Sequence, residues 1–252
     1  MDRLQQNYQY FEEINPGIIN KIGRGLKILD IGCGYGHLGE VIKKKDNEVY
    51  GIDTSPIAIE TAKKRLDFAF IADIAKPETL PIEIKRERFD VILMADIIEH
   101  LYDPKVLLVN SKTFLKENGS LILSIPNVAN WATRLLLLFG RWNYTVSGVL
   151  DRTHIRFFTM GSIKRLLTSV GYDIISISAT PYFLRAFAEP IRNMIFPDSK
   201  NETPSDTTAL MKSSYYKFYI KYLYSIESFI ASLWMKMFAF QFIIVAKHVD
   251  SK

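Results

Sequence analysis

Short apolar runs alternate with amphipathic stretches along the first part of the chain. Residues 27–30 form an apolar run that ends in a glycine-rich turn, and residues 37–45 follow with helical spacing. Residues 48–53 predict a second strand, and Pro56 opens a helix to residue 65 with Ser55 as its N-cap. The chain therefore begins with two successive strand–turn–helix units.

Five later runs continue this alternation. They share a short apolar sequence bounded by polar residues or glycine, and they are residues 68–72, 89–94, 120–125, 173–179 and 240–246. Helices are predicted from Asp103 to about Leu115 and from the N-cap Thr159 to about Val170. Because strands alternate with helices, we predict a doubly wound α/β fold with a mostly parallel, seven-stranded sheet.

Two stretches depart from the alternation. Residues 127–156 are rich in aromatic residues and arginine, which is typical of an insertion or lid after the fifth strand. Residues 181–238 separate the last two strands by too great a length for a hairpin. Within them, 183–195 and 214–238 have helical patterns around a polar stretch at 198–208. We expect a single domain over 1–252 with these two helical insertions.

The turn after the first strand is the clearest candidate binding site. It reads Asp30-Ile31-Gly32-Cys33-Gly34-Tyr35-Gly36, and its glycines would let backbone amides approach a ligand closely. The spacing Gly34-x-Gly36-x-x-Gly39 also fits a dinucleotide fingerprint, with Asp53 at the distance of a ribose-binding acid. The turn alone therefore leaves a nicotinamide dinucleotide and S-adenosylmethionine both open.

Two carboxylates favour S-adenosylmethionine. Asp30 precedes the first glycine, where it would meet an ammonium group and repel a pyrophosphate, and Asp73 closes the third strand. With these features the sequence resembles the class I S-adenosylmethionine-dependent methyltransferases, especially their ubiquinone- and small-molecule-type subgroup. The segments that carry the resemblance span roughly 26–170 and are 29–36, 50–53, 72–73, 89–104 with Ile98-Glu99-His100-Leu101, and 119–126.

The resemblance implies a Rossmann-like methyltransferase fold with S-adenosyl-L-methionine as cofactor. It implies a common set of cofactor-binding residues near the strand ends: Asp30, Gly32, Cys33, Gly34, Gly36, Asp53, Thr54, Asp73, Ile74 and Asp96. Asp30 would hold the methionine end with Gly32 and Gly34, and Asp96 would flank it. Asp53 would bind the ribose, and Asp73 with Ile74 the adenine. The alternatives are helix caps for Asp53 and Asp73, and a small packed residue for Cys33.

Methyl transfer from a sulfonium needs alignment of donor and acceptor rather than a metal or an enzyme nucleophile, so we expect no metal site. A hydroxyl acceptor benefits from a base, and histidine has the appropriate pKa. His100 follows the fourth strand and His154 lies before a helix, which makes them the catalytic candidates. The alternative for each is a local hydrogen bond that organises its loop.

The insertion after the fifth strand supplies candidate acceptor-binding residues. Trp131, Arg141, Tyr144 and Arg152 offer stacking surfaces and guanidinium groups that suit an anionic or sugar-bearing acceptor. Scattered arginines are more often simply solvated, so that alternative stays open.

Composition narrows the classes further. The net charge of +5 comes from bases spread along the chain, and the short basic clusters fall late in helices, so we expect no nucleic-acid partner. Cys33 is the single cysteine, which excludes an internal disulfide and suits a reducing cytoplasm. The longest apolar runs, 135–139 and 238–246, predict no transmembrane helix. Residues 131–139 and 215–238 are candidates for peripheral membrane contact, or for packing on the domain or in a homodimer.

We therefore predict a cytoplasmic methyltransferase, peripheral to a membrane if those helices dock there. It would act on a hydroxyl, less favourably an amine, of a small-molecule, glycan-type or lipid-linked acceptor. The rival interpretations are an NAD-dependent oxidoreductase and a non-catalytic interaction protein that keeps the cofactor fold.

Overall fold

The structure, a computed structural model, describes residues 15–181, 222 and 224–248. Its centre is a single β-sheet. Its strands are β1 (Lys27–Ile31), β2 (Glu48–Asp53), β3 (Phe68–Ile71), β4 (Phe89–Ala95), β5 (Leu115–Pro126), β6 (Tyr172–Pro181) and β7 (Ala239–His248). The α-helices described are α1 (Pro16–Ile19), α2 (His37–Lys43), α3 (Pro56–Ala62), α4 (Ile82–Arg86), α5 (Pro104–Lys112), α6 (Trp131–Leu138), α7 (Met160–Ser169), α8 (Tyr224–Leu233) and α9 (Met235–Phe238). Short 3-10 turns cover Pro77–Thr79 and Ile98–His100.

The strand order is β3-β2-β1-β4-β5-β7-β6. Strands β1 to β5 pair in parallel, whereas β7 is antiparallel to both β5 and β6. The prediction of a seven-stranded, mostly parallel sheet with helical insertions is confirmed. The order reverses between β1 and β4, and ligands of such sheets bind in the crevice at the carboxyl ends of the strands on either side of this point.

Both faces of the central strands are buried, as a parallel sheet between helices requires. Successive residues of β1 point to opposite faces, so Leu29 packs with Ile92 on one side while Ile28 packs with Leu93 on the other. All four side chains are inaccessible to solvent. The two cores hold the strand ends, and therefore the loops that follow them, in fixed positions.

The boundary between α5 and β5 differs from the predicted one. The helix ends at Lys112 rather than near Leu115, and β5 begins at Leu115 rather than Ser120. Leu115 pairs with Phe89, and an irregularity in the register follows before Val91 pairs with Ser120. Asn118-Gly119, a pair typical of the residues that follow a helix, lies inside this irregular part of the strand, because pairing to β4 outweighs the local helical pattern.

The insertions contain helices where the structure describes them. Asn130 caps α6 by accepting the Thr133 amide at 3.0 Å. The predicted helix 183–195 and polar stretch 198–208 lie outside the described residues, as does part of 214–238; α8 and α9 form the described remainder. No α-helix within the described ranges combines the length and apolar character needed to cross a membrane.

Candidate active site

The glycine turn after β1 adopts backbone angles that favour glycine. Gly32, Gly34 and Gly36 have φ values of +75°, +51° and +79°. A Cβ on Gly32 would lie 2.6 Å from Ile97 Cδ1, so a side chain here would displace Ile97 as well as strain the backbone. The amides of Gly32 and Cys33 donate to the Ile52 carbonyl at 2.8 and 3.1 Å, which fixes the turn against β2.

Asp53 closes the same turn from the end of β2. Its buried carboxylate accepts the Gly34 amide at 2.9 Å and the Ser55 amide at 2.8 Å. The side chain that the resemblance assigns to a ribose thus also sets the shape of the glycine turn. Thr54, the next residue, is exposed at the rim of the turn.

Asp30 is a buried acidic residue next to the glycine turn. Its side chain is 2% exposed, and burial together with the nearby Asp53 carboxylate raises the pKa of Asp30 to about 7. A cation placed against this carboxyl would favour its ionised form. The ammonium group of the methionine moiety of S-adenosylmethionine fits that requirement, whereas a pyrophosphate does not.

Cys33 lies beneath the turn. It is buried, and burial raises the pKa of its thiol well above the ordinary value, which disfavours a nucleophilic thiolate. Its Sγ would be 2.7 Å from a Cβ on Gly51 of β2, so the two residues occupy adjoining space. This placement agrees with the alternative of a small packed residue.

The predicted adenine-binding residues follow β3. Asp73 is half-buried, and its carboxylate accepts the Ala75 amide at 2.9 Å and lies 3.7 Å from Lys76 Nζ. The Ile74 side chain is in the core, and its carbonyl accepts the side-chain amide of Asn110 at 2.9 Å. Any adenine contact by Ile74 in this arrangement would involve its backbone; the assignment of both residues stays a prediction.

Asp96, just past β4, lies in a hydrogen-bonded network that the sequence analysis missed. Its φ is +52°, its amide donates to Ser124 Oγ at 3.1 Å, and Gln241 Nε2 donates to its carboxylate. Gln241 Oε1 in turn accepts from Asn15 at 2.5 Å. The signal for this network was present, since Ser124 and Gln241 are polar residues inside otherwise apolar strands.

The two candidate histidines lie side by side next to Glu99. The rings of His100 and His154 are 4.8 Å apart edge to face, and His154 Nε2 is 4.0 Å from Glu99 Oε1. Neither buried carboxylate oxygen of Glu99 has a hydrogen-bond partner among the described residues. Burial, with Asp96 and Asp151 nearby, raises the pKa of Glu99 well above its ordinary range, which disfavours the ionised form of this carboxyl.

Both histidines are neutral near pH 7. Burial and the neighbouring His154 lower the pKa of His100 to about 4, and burial lowers the pKa of His154. His100 Nδ1 faces the Thr153 carbonyl at 3.3 Å and His154 Nδ1 faces the Val149 carbonyl at 3.2 Å. A carbonyl only accepts, so each Nδ1 carries the proton and each Nε2 carries the lone pair.

Glu99, His100 and His154 also bring potential metal ligands together. One ligand atom from each residue lies within 4.8 Å of the other two. Two imidazoles and a carboxylate are a set that holds divalent transition metals. The expectation that the protein uses no metal stays a prediction.

An aromatic cluster covers the histidines. Phe157 lies 6.2 Å from His154, 5.2 Å from Trp142 and 6.4 Å from Tyr144, measured between ring centroids. The structure thus brings Tyr144 close to the candidate bases, through Phe157, whose role the sequence analysis did not foresee.

The other predicted acceptor residues are less closely gathered. Trp131 begins α6 and Arg141 follows its C-terminal end. Arg152 is exposed, and its amide donates to the Thr145 carbonyl at 3.0 Å. Their role in acceptor binding stays a prediction.

The methyltransferase domain family matches residues 3–177 of the chain. The chain belongs to this family. Membership in the S-adenosylmethionine-dependent methyltransferases decides between the two cofactors that the glycine turn left open, and the prediction of S-adenosylmethionine is confirmed at the level of the family.

Curated relatives of this methyltransferase domain are ubiquinone biosynthesis O-methyltransferases. The protein of Bradyrhizobium diazoefficiens is 36% identical over 128 residues, covering 51% of this chain and 50% of the relative. That of Cereibacter sphaeroides is 30% identical over 152 residues, covering 59% and 61%. The match thus spans about half to three-fifths of these relatives' length.

Solved structures share the fold of the methyltransferase domain. A methyltransferase of Archaeoglobus fulgidus has a TM-score of 0.57 at 16% identity, covering 98% of this chain and all of the other. Phosphoethanolamine N-methyltransferase 2 of Haemonchus contortus, in complex with S-adenosyl-L-methionine, has a TM-score of 0.54 at 16% identity, covering 93% and 52%. These likenesses support the Rossmann-like fold class.

Proposed function

We propose that the chain is an S-adenosylmethionine-dependent methyltransferase that transfers a methyl group to a hydroxyl of a small-molecule, glycan-type or lipid-linked acceptor. The observation that carries the proposal is the buried Asp30 carboxyl beside Asp53 and the glycine turn, which is suited to a cationic ligand. When bound, S-adenosylmethionine supplies a methyl group on a positively charged sulfur, so the leaving group needs no further activation.

The chain's own residues then have three tasks. Asp30 and the glycine turn hold the charged methionine end, and Asp53 holds the ribose. The loop after β4 and the insertion after β5 shape the acceptor site beside them. His154 takes up the proton of the acceptor hydroxyl, with His100 as the second candidate for this role, because each ring is neutral and carries a lone pair on Nε2.

The preference for oxygen over nitrogen rests on these neutral histidines. A hydroxyl must lose its proton as the new bond forms, whereas a neutral amine attacks without prior deprotonation. The name of the curated relatives, which contains O-methyltransferase, points the same way. A phenolic hydroxyl is therefore the first acceptor to assay. The proposed compartment is a reducing one such as the cytoplasm, where the free thiol of Cys33 is stable.

We propose further that 127–156 acts as a lid within one domain. The contact between Phe157 and the ring of His154 supports this, since it links the end of the insertion to the candidate bases. Trp131, Tyr144, Arg141 and Arg152 would then line the acceptor side, as the sequence predicts.

Calorimetry with S-adenosylhomocysteine and with NAD tests the cofactor. We expect binding of the first and none of the second; the reverse would refute the proposal. Transfer of a labelled methyl group to catechol and to benzylamine tests the acceptor class, with His154→Gln and the exposed Arg88→Gln as a matched pair. Loss of turnover in His154→Gln with unchanged cofactor binding supports the role of base; equal turnover in both variants contradicts it.

A further inference from the structure

The described parts of the two insertions expose several large apolar side chains. Every residue from Arg134 to Gly140 is exposed, including four consecutive leucines and Phe139. Thr133 is the buried residue of α6. A helix packed on its own domain turns its apolar residues inward. The exposed leucines of α6 show the opposite arrangement.

Helix α8 repeats this arrangement. Ile226, Phe229, Ile230 and Leu233 follow the i, i+3, i+4, i+7 spacing of one helix face, and all four are exposed. Among the described side chains of the helix, Glu227 and Ala231 are buried, and they lie one turn apart on another face. The polar Glu227 is therefore enclosed while the apolar stripe faces outward.

Both helices join the sheet on the side where β5 ends and β7 begins. Asn127, three residues before the N-cap of α6, donates its side-chain amide to the Lys236 and Ala239 carbonyls at 3.3 and 3.0 Å. Those carbonyls belong to α9 and to the start of β7, directly after α8. β4 also ends on this side of the sheet, and Glu99 and His100 follow it there, so α6 and the candidate active site lie on the same side of the domain.

The stretch of sequence that contains α6 is strongly basic. Residues 118–172 contain six arginines and lysines and a single acidic residue, Asp151, so this stretch carries as much formal charge as the whole chain, +5. Asp151 is buried and accepts the Thr153 amide and hydroxyl at 2.8 and 2.7 Å. Arg134 and Arg141, which flank the leucines, are exposed. Every exposed formal charge of this stretch is positive.

We propose that α6 and the outward face of α8 dock on a bilayer that carries anionic lipids, with the candidate active site facing the membrane. Apolar side chains would enter the headgroup and acyl boundary while the flanking arginines meet the lipid phosphates. This combination favours an anionic bilayer over a second copy of the chain, because two copies of this surface would bring like charges together. The inference concerns the surface and does not depend on methyl transfer.

Flotation of the full chain with vesicles tests the proposal. Vesicles of phosphatidylcholine alone are compared with vesicles that also contain phosphatidylglycerol, at low and high salt. We expect binding to the anionic vesicles that weakens with salt. Leu137→Asp and Phe229→Asp should each lower the bound fraction by at least about tenfold, because each removes an inserted apolar group and adds a negative charge.

Val109→Asp on α5 is the matched control, since Val109 and Leu137 are both 48% exposed. It should bind like the unaltered protein. If the unaltered protein remains with the unbound fraction, or if Leu137→Asp and Val109→Asp float equally, the proposal is wrong. A dimer in light scattering that Leu137→Asp converts to a monomer, without vesicle binding, would instead assign the surface to a second copy. Binding of S-adenosylhomocysteine by each variant reports separately on the cofactor site.

Discussion

Replacing Asp30 by asparagine should make the ligand-free protein more stable. The ordinary pKa of this carboxyl is 3.8, and burial with the neighbouring Asp53 raises it to about 7. The folded state therefore holds the proton more tightly than the unfolded chain, and the free energy of unfolding falls as the pH rises from about 4 to about 7. The difference between the two pKa values corresponds to roughly 4 kcal/mol, which Asp30→Asn should recover at pH 8 and not at pH 4.

Urea unfolding of both proteins at pH 4, 6 and 8 measures this difference directly. Asp90→Asn is a control of opposite sign: burial opposes its ionisation, but hydrogen bonds from the Lys116 side chain and the Lys27 amide outweigh burial and lower the pKa of Asp90. Asp90→Asn should therefore lower the free energy of unfolding at pH 8. If Asp30→Asn destabilises the protein equally at every pH, the reasoning about its burial is refuted.

The same substitution should weaken the cofactor site. A carboxylate that meets an ammonium group contributes a charge-assisted hydrogen bond, so Asp30→Asn should reduce the affinity for S-adenosylmethionine by roughly 10- to 100-fold at pH 8. Isothermal calorimetry gives that affinity. Greater stability combined with weaker binding is the expected signature of a residue kept for function rather than for folding.

Three further predictions follow from buried contacts elsewhere. Gly51→Ala should cost about 1–3 kcal/mol of unfolding free energy, because its Cβ would lie 2.5 Å from Leu66 Cδ1 and 2.7 Å from Cys33 Sγ. It should also weaken cofactor binding, since Cys33 lies beneath the glycine turn, and thermal unfolding with and without S-adenosylhomocysteine measures both effects. Glu99→Gln should raise the free energy of unfolding at pH 8 more than at pH 5, since the raised pKa of Glu99 penalises its ionised form; an equal change at both pH values would contradict this. Tyr172→Phe removes a buried hydrogen bond of 3.1 Å to Ser111 and should cost about 1 kcal/mol in urea unfolding while cofactor affinity stays unchanged.

The parts of the fold that depend on local pattern were predictable from the sequence. The apolar runs of β1 and β4 and the glycine turn between β1 and α2 lie where their patterns indicate, because both faces of these strands are buried and the turn needs positive φ. The end of α5 was not predictable in the same way. Its local helical pattern continues past Lys112, and pairing of Leu115 with Phe89, a contact distant in sequence, ends the helix there.

The candidate site was also predictable only where a local pattern defines it. Asp30, Asp53 and Asp96 lie at strand ends, where their sequence motifs predict them. Contacts between residues far apart in sequence could not be predicted from a local pattern. The contact between Glu99 and His154, for example, joins residues 55 positions apart. Gln241 reaches Asp96 across a greater separation still, which only the strand order defines.

The position of β7 has a consequence for synthesis on the ribosome. β7 is the last of the seven strands to be made, yet it lies between β5 and β6 and not at an edge. Until β7 emerges, nothing joins β5 to β6, because each of them pairs with β7 and not with the other. Asp96 also lacks the side chain of Gln241, which donates a hydrogen bond to its carboxylate. The nascent chain can therefore pair β1 to β5 before β7 is available, whereas the place between β5 and β6 and the hydrogen bond to Asp96 are completed only after β7 has left the ribosome.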